Sequence, residues 1–240
     1  MANITVYRGF PATANYVWSP FVTKLEVRLR FAGLSYDLEQ GSLLKAPRGK
    51  IPYMSIATSK NTSEPEFLSD TQLISDQLTE NGILPDLNEN LSPTEETMDQ
   101  ALRALLEDKL YFYHVWSFPL TSGVELIVNQ QVNERWNENY YTMRDVVMAA
   151  IPYPIRVIVG YLAWHKTNAG LHSQGTRRFS AEEIHSFRHK IWHSLDDLLG
   201  ESRRKTASGQ KSFWAFGGKG PTEADTSLYG FVIAGLVCDA

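Results

Sequence analysis

The amino-acid sequence predicts an α/β domain followed by an all-α domain. Over the first 80 residues or so, short apolar runs typical of strands alternate with segments whose apolar residues recur at helical spacing. Residues 82–97 are punctuated by Gly, Pro and Asn, as in a linker, and beyond them only the helical spacing continues. With 240 residues, 43% of them hydrophobic, the chain can bury a substantial core. We therefore expect domains at residues 1–82 and 93–240.

The α/β domain is predicted to contain its elements in the order strand, helix, strand, strand, strand, helix. The first helix has Phe21, Leu25 and Leu29 on one face, and Gly33 ends it, because glycine tolerates the left-handed conformation that terminates helices. The segment 43–48 is ambiguous. The predicted elements cover residues 4–7, 20–32, 36–39, 50–56, 66–68 and 70–81.

The second domain is predicted to be helical throughout. Helices are expected from Met98 to about residue 113, over 122–140 and over 155–165. A capping box at residues 180–183 predicts the start of another helix. The last helix is expected to begin at Thr222, after a polar loop over residues 200–212.

Composition excludes several classes of function. The net charge is −4 and the basic residues are scattered, so we expect no nucleic-acid partner. Cys238 is the single cysteine, which rules out an internal disulfide or a two-cysteine redox pair. No apolar stretch is long enough to span a bilayer and no signal-peptide pattern is visible, so a cytoplasmic protein is expected. We predict no metal site, because the histidines spaced four apart have no partners spaced to complete one. They are His185, His189 and His193.

The turn before the first helix contains the most informative residues. Trp18-Ser19-Pro20 connects a strand to a helix, and the N-terminus of a helix offers free backbone N–H groups and positive potential. Such a turn stabilises a thiolate or another anion. A second interpretation is an ordinary helix start, in which Ser19 is the cap and Pro20 occupies the first turn. The residues by themselves leave both interpretations open.

The domain order and four short motifs resemble the glutathione transferase superfamily, with its thioredoxin-like N-terminal domain and C-terminal helical bundle. Ser19-Pro20-Phe21 is similar to a Cys-Pro-Phe/Tyr turn of that superfamily, with serine in place of cysteine. The other motifs are Gly49-Lys50-Ile51-Pro52, Ser69-Asp70-Thr71-Gln72-Leu73-Ile74 and Thr222-x-x-Asp225. The first helix looks most like the failed-axon-connections and metaxin-like branch, whereas the length looks more like fungal cytosolic transferases of secondary metabolism.

The resemblance implies that glutathione is the cofactor and that Ser19 contacts its thiol, with Tyr7 and Tyr16 as alternatives. It also implies a cis peptide bond before Pro52 and a role for Asp70 at the γ-glutamyl ammonium group, although Asp70 could instead only cap its helix. Lys45 is a less favoured alternative to Lys50. The residues expected to bind glutathione are Lys50, Ile51, Pro52, Asp70 and Thr71.

On the substrate side, the resemblance implies a pocket wall in the first helix of the second domain, with Tyr111 or His114 facing the cleft. Aromatic residues there suit an apolar or conjugated small molecule. The expected activity is thiolate addition to an electrophile, either permanent (conjugation) or reversible (cis–trans isomerisation), in a homodimer. Disulfide reduction ranks last, because it works best with a cysteine at position 19. The alternative is a metaxin-like binding protein without catalysis.

Overall fold

The computed structural model of the chain describes residues 3–13, 15–57, 65–116, 152, 155, 169–170, 172–206 and 213–238. Contacts between Cα atoms divide the chain into two compact units. The first comprises Met1–Arg103 and Gly218–Ala240, and the second comprises Ala104–Gly217.

The first unit is built on a four-stranded mixed sheet. The strand order is β2-β1-β3-β4, in which β1 is parallel to β2 and antiparallel to β3, and β3 is antiparallel to β4. The α/β elements predicted from the sequence are all present, with ends that differ by at most three residues. They are β1 (Asn3–Tyr7), α1 (Pro20–Phe31), β2 (Asp37–Glu39), β3 (Tyr53–Ala57), β4 (Glu66–Ser69) and α2 (Thr71–Glu80). The ambiguous segment 43–48 forms turns.

One face of this sheet carries the core. Ile4 and Val6 of β1 are buried in one cluster with Leu25 of α1 and Ile74 of α2. Because side chains alternate along a strand, Tyr7 lies on the opposite face, where its ring stacks on another aromatic side chain.

The helix α3 (Pro93–Ala104) begins earlier than the sequence predicted. The last five residues of the expected linker, 93–97, therefore belong to this helix. Ser92 and Glu95 explain the difference, because they form a reciprocal capping box. The Ser92 amide donates to Glu95 Oε2 (2.9 Å), and the Glu95 amide donates to Ser92 Oγ (3.4 Å).

The C-terminal helix α6 (Glu223–Cys238) belongs to the first unit. It packs so closely on α1 that a Cβ on Gly230 would stand 2.4 Å from the carbonyl oxygen of Pro20. Thr222 and Asp225, one of the four motifs, cap this helix, because the Thr222 amide donates to Asp225 Oδ2 at 2.9 Å. Buried Asp99 of α3 accepts a further hydrogen bond from the Ala224 amide at 2.7 Å.

The second unit is helical in the part that the structure describes. A π-helical stretch (Leu105–Leu110) continues α3 into α4 (Tyr111–Trp116), and a 3₁₀ turn (Thr176–Arg178) precedes α5 (Ala181–Lys205). The capping box of Ser180 and Glu183 is confirmed. The helices predicted over 122–140 and 155–165 lie outside the described residues, apart from residue 155. Among the described residues, no helix is both long and apolar enough to cross a membrane.

The helix α5 continues to Lys205, although the sequence predicted a loop from residue 200. Ser202 is buried and donates a hydrogen bond to the carbonyl oxygen of Ala215 at 2.5 Å. Glu201 and Lys205 form an ion pair on the exposed side of the same turns. The polar residues after position 200 therefore do not end this helix, because the Ser202 side chain has a buried hydrogen-bond partner.

Candidate functional site

Several ends of secondary-structure elements meet at one edge of the sheet. Tyr7 pairs with Tyr53, so the end of β1 lies beside the beginning of β3. Tyr53 also pairs with Ser69, which brings the end of β4 to the same edge. Because α1 links β1 to the parallel strand β2, it begins at this edge as well. Both α1 and α2 therefore have their N-terminal ends there.

At the start of α1, a polar residue occupies the N-cap position, but its side chain forms no cap hydrogen bond. Ser19 occupies the N-cap position with extended backbone (φ −78°, ψ 112°), and Pro20 is the first helical residue. The Ser19 hydroxyl makes no capping hydrogen bond. The positions expected for an ordinary helix start are therefore confirmed for Ser19 and Pro20, but the Ser19 side chain forms no cap bond.

The start of α2 is capped by Asp70. Its Oδ1 atom accepts hydrogen bonds from the amides of Gln72 (3.2 Å) and Leu73 (3.4 Å), which confirms the capping interpretation. Its Oδ2 atom takes part in neither bond. Asp70 has a backbone φ of +76°, in a region that residues other than glycine rarely adopt. Backbone strain of this kind clusters at functional sites. Thr71 is buried, and as the first helical residue its amide has no acceptor within the helix.

The segment before β3 completes this edge. The peptide bond between Ile51 and Pro52 is cis, as the resemblance implied. The Ile51 side chain packs on Gly9, where a Cβ would stand 2.5 Å from the Ile51 Cδ1 atom and where φ is +73°. A larger residue would be strained there. Lys50 and Lys45, the two candidate partners for a carboxylate, are both exposed.

These features give the edge a definite electrostatic character. Two helix N-termini carry partial positive charge and offer amide donors, so the edge favours anions. The Asp70 Oδ2 atom, which takes part in neither cap bond, favours a cation at one point of this edge. The arrangement therefore fits a small ligand that carries both acidic groups and an ammonium group.

Tyr7 and Tyr16, the alternative thiol partners, have other contacts. The Tyr7 ring stacks on Tyr53 with centroids 4.5 Å apart, on the sheet face away from α1, and its hydroxyl lies 3.4 Å from Ser55 Oγ. The Tyr16 hydroxyl lies 2.7 Å from the Tyr229 hydroxyl. Hydrogen bonding with Tyr16, followed by burial, raises the pKa of Tyr229 to about 12.

Tyr111 and His114, the candidate substrate contacts, lie on α4 in the second unit. Burial raises the pKa of the Tyr111 hydroxyl. Burial, followed by the charge of Arg188, lowers the pKa of His114 to about 4, so this imidazole is neutral near pH 7. Within the part of the chain that the structure describes, the His114 Nε2 atom is buried without a hydrogen-bond partner. Its ring lies 6.1 Å from that of Trp192.

The histidines of α5 are the metal candidates that the sequence raised. His193 does have a carboxylate neighbour, because Asp197 lies one turn later with its Oδ2 atom 2.9 Å from Nδ1, which the sequence analysis overlooked. Across the described ranges, no three His, Cys, Asp or Glu side chains are arranged to hold a metal ion.

Sequence reasoning missed Arg8. Its guanidinium group is buried at the end of β1 and contacts backbone carbonyl groups of the loop that leads to Ser19. No local pattern marks this residue, because its partners are backbone atoms of the loop and a side chain on α1.

Comparison with known proteins gives both a family match and a fold. Residues 20–121 match the family model for the glutathione S-transferase N-terminal domain. Glutathione transferase GSTFuA3 from Phanerochaete chrysosporium superposes with a TM-score of 0.52 at 16% identity, over 98% of this chain and 85% of that one. The chain therefore has the glutathione transferase fold, with a thioredoxin-like N-terminal domain.

Two further solved structures are similar at lower scores. Glutathione transferase Omega 2C from Trametes versicolor is 13% identical, covers 97% of this chain and 71% of its own, and has a TM-score of 0.47. Maleylacetoacetate isomerase from Anaeromyxobacter dehalogenans, solved with bound dicarboxyethyl glutathione, is 14% identical and has a TM-score of 0.43. The match covers 98% of this chain and 79% of the isomerase.

Proposed function

We propose that this chain is a glutathione-dependent transferase that acts on an electrophilic or conjugated apolar small molecule. One observation carries the proposal: two helix N-termini lie at one sheet edge, one with a hydroxyl that makes no cap bond (Ser19) and the other with a carboxylate oxygen outside the cap bonds (Asp70). The family match of the N-terminal domain and the fold support the same function.

The residues at this edge suit the parts of glutathione. Asp70 Oδ2 pairs with the α-ammonium group of the γ-glutamyl residue, and the amide and hydroxyl of Thr71 donate to its α-carboxylate. The backbone of Ile51, before Pro52, pairs with the cysteinyl backbone in the manner of an added strand. Lys50 neutralises the glycyl carboxylate, with Lys45 as the alternative.

Glutathione bound in this way supplies the nucleophilic sulfur. The Ser19 hydroxyl donates a hydrogen bond to that sulfur, and the N-terminus of α1 adds positive potential. Both interactions are stronger with the thiolate than with the thiol, so they lower the thiol pKa and release its proton to solvent near pH 7. The position of Tyr7 on the other face of the sheet favours Ser19 for this role.

A site of this kind performs thiolate addition. Conjugation leaves the sulfur bonded to the electrophilic carbon, whereas reversible addition to a conjugated carbonyl compound isomerises its double bond and regenerates the thiolate. We propose that Tyr111 and His114 contact the apolar substrate. Homodimerisation and a cytoplasmic location stay predictions from the resemblance.

The test is glutathione binding followed by turnover. We expect retention on immobilised glutathione, specific elution, and loss of retention in Asp70→Asn, which keeps a capping oxygen and removes the charge. Electrophiles and cis-enones are then assayed for conjugation and isomerisation. A chain that passes through the column and shows no calorimetric heat with glutathione would instead support the metaxin-like binding protein.

A further inference from the structure

We propose that Arg8 is a positioning residue: it holds the β1–α1 loop, described at residues 9–13 and 15–18, and thereby sets the place of Ser19. The inference rests on the proposed function, since the place of Ser19 matters through the thiol that it contacts. The loop itself can be tested without glutathione.

Arg8 is 1% exposed and follows the last residue of β1. Its Nη2 atom donates to the carbonyl oxygen of Asn15 at 2.8 Å. Its Nη1 atom donates to the carbonyl oxygen of Thr13 and lies 3.5 Å from that of Pro11. One side chain therefore holds the loop at three points. Lysine has no equivalent, because a single ammonium group lacks the planar fork that reaches several acceptors at once.

Glu26 of α1 ties Arg8 to the helix. The Arg8 Nε and Glu26 Oε1 atoms are 3.1 Å apart, in an orientation that forms an ion pair without completing a hydrogen bond. Both side chains are buried, and Arg30 pairs with the other oxygen of Glu26 at 3.2 Å. A buried guanidinium group needs such partners, because an uncompensated charge in the interior is costly. The loop is thus fastened to the strand before it and to the helix after it.

The loop borders both ends of the proposed thiol site. It begins at Gly9, whose backbone contacts the Ile51 side chain and whose amide donates to the carbonyl oxygen of Gln40 at 2.6 Å. It ends at Trp18, directly before Ser19. A loop released from Arg8 would let Ser19 move relative to Ile51, and the thiolate would lose its donor.

The primary test uses Arg8→Lys, with Arg204→Lys as the matched control at an exposed arginine of α5. Chymotrypsin cleavage after Tyr16 or Trp18 reports on the loop, and we expect about tenfold faster cleavage in Arg8→Lys. Thiolate absorbance of bound glutathione reports on Ser19, and we expect its pKa to rise by about one unit. Binding of S-methylglutathione, which lacks the thiol, should weaken by less than about threefold. The control should match the wild type in all three measurements.

Glu26→Gln separates the loop contacts from the ion pair, because it leaves the carbonyl contacts of Arg8 in place. We expect it to keep chymotrypsin resistance and a low thiol pKa.

A folded Arg8→Lys protein with wild-type cleavage and wild-type thiol pKa would overturn the proposal, as would equal losses in Glu26→Gln. If Arg8→Lys does not fold, rapid cleavage of the native wild type in this loop would overturn it, and resistance there with a low thiol pKa in Glu26→Gln would support it. A wild type that does not bind glutathione would overturn the proposed function and the role of Arg8 at the thiol, while the cleavage result would still decide whether Arg8 holds the loop.

Discussion

The N-termini of α1 and α2 lie at the same edge of the sheet, yet they are completed in different ways. Asp70 caps α2 with one carboxylate oxygen and adopts a backbone conformation with φ +76° to do so. Ser19 stands at the same position of α1 with ordinary extended backbone and no side-chain cap bond. A polar residue before a helix thus serves the fold at one terminus and stays available at the other.

The surroundings explain this difference. α1 is packed on the sheet through Leu25 and Leu29, and on α6 so tightly that Gly230 touches the Pro20 carbonyl group. Its start is held by tertiary contacts. α2 has 10 residues, a length that is marginal for an isolated helix, and its side-chain cap contributes to its stability.

The largest expected effect is a loss of folding stability at acid pH, caused by His114. This loss must be separated from the effects of the two helix termini before those are compared through the free energy of unfolding. The pKa of His114 is lowered to about 4, chiefly by burial, against about 6.5 in an unfolded chain. The unfolded state therefore binds the proton first, and stability falls as the pH drops from about 6.5 to about 4, by on the order of 3 kcal/mol.

Urea unfolding at pH about 7 and about 4.5 measures this dependence, and His114→Gln should remove most of it. His172→Gln, at an exposed histidine of the same unit, is the matched control and should leave the dependence unchanged. An equal loss of stability on acidification in His114→Gln would contradict the role of His114.

The second prediction breaks the α2 terminus. Asp70→Ala removes both the cap and the ligand charge, so we expect a loss of about 1 kcal/mol in the free energy of unfolding. Glutathione affinity should fall by roughly 1.5–3 kcal/mol, the cost of a hydrogen bond to a charged group. Asp70→Asn keeps a capping oxygen and should lose affinity with little loss of stability. Calorimetry that finds normal glutathione binding in Asp70→Asn would remove Asp70 from the site.

The third prediction is the converse at α1. Ser19→Ala removes no cap bond, so the free energy of unfolding should change by less than about 0.5 kcal/mol. The thiol pKa should rise and turnover should fall by about tenfold to a hundredfold, since the backbone amides and the helix dipole remain. An unchanged thiol pKa in Ser19→Ala together with a raised one in Tyr7→Phe would transfer the role to Tyr7.

The smallest expected effect concerns Tyr16, which lies on the loop before α1. Tyr16→Phe removes an exposed hydrogen bond, so stability should change little. The pKa of Tyr229 should fall from about 12 toward its ordinary value, because the bond with Tyr16 is the main cause of its increase. Ultraviolet titration against Tyr229→Phe measures this change. If the glutathione thiol pKa also rises in Tyr16→Phe, Tyr16 rather than Ser19 is the thiol partner.

Much of the fold could be predicted because it depends on neighbouring residues. Apolar spacing located α1 and α2, and the capping box at Ser180 located the start of α5. At the end of α5, where prediction failed, a partner far from the helix was responsible. α5 continues past residue 200 because Ser202 bonds to the Ala215 carbonyl group, which lies in a segment with no helical pattern.

The sequence by itself determined which residues stand before each helix, since caps, prolines and glycines act within one or two turns of the chain. Tertiary structure decided what those residues do. The buried Arg8 pairs with Glu26, which lies on a different element, and Arg28 of α1 pairs with Glu223, 195 residues away. Packing of α6 on α1 and the orientation of Tyr7 depend likewise on strand register and helix contact. No local pattern encodes them, because the partners of a buried polar group are chosen by the whole fold.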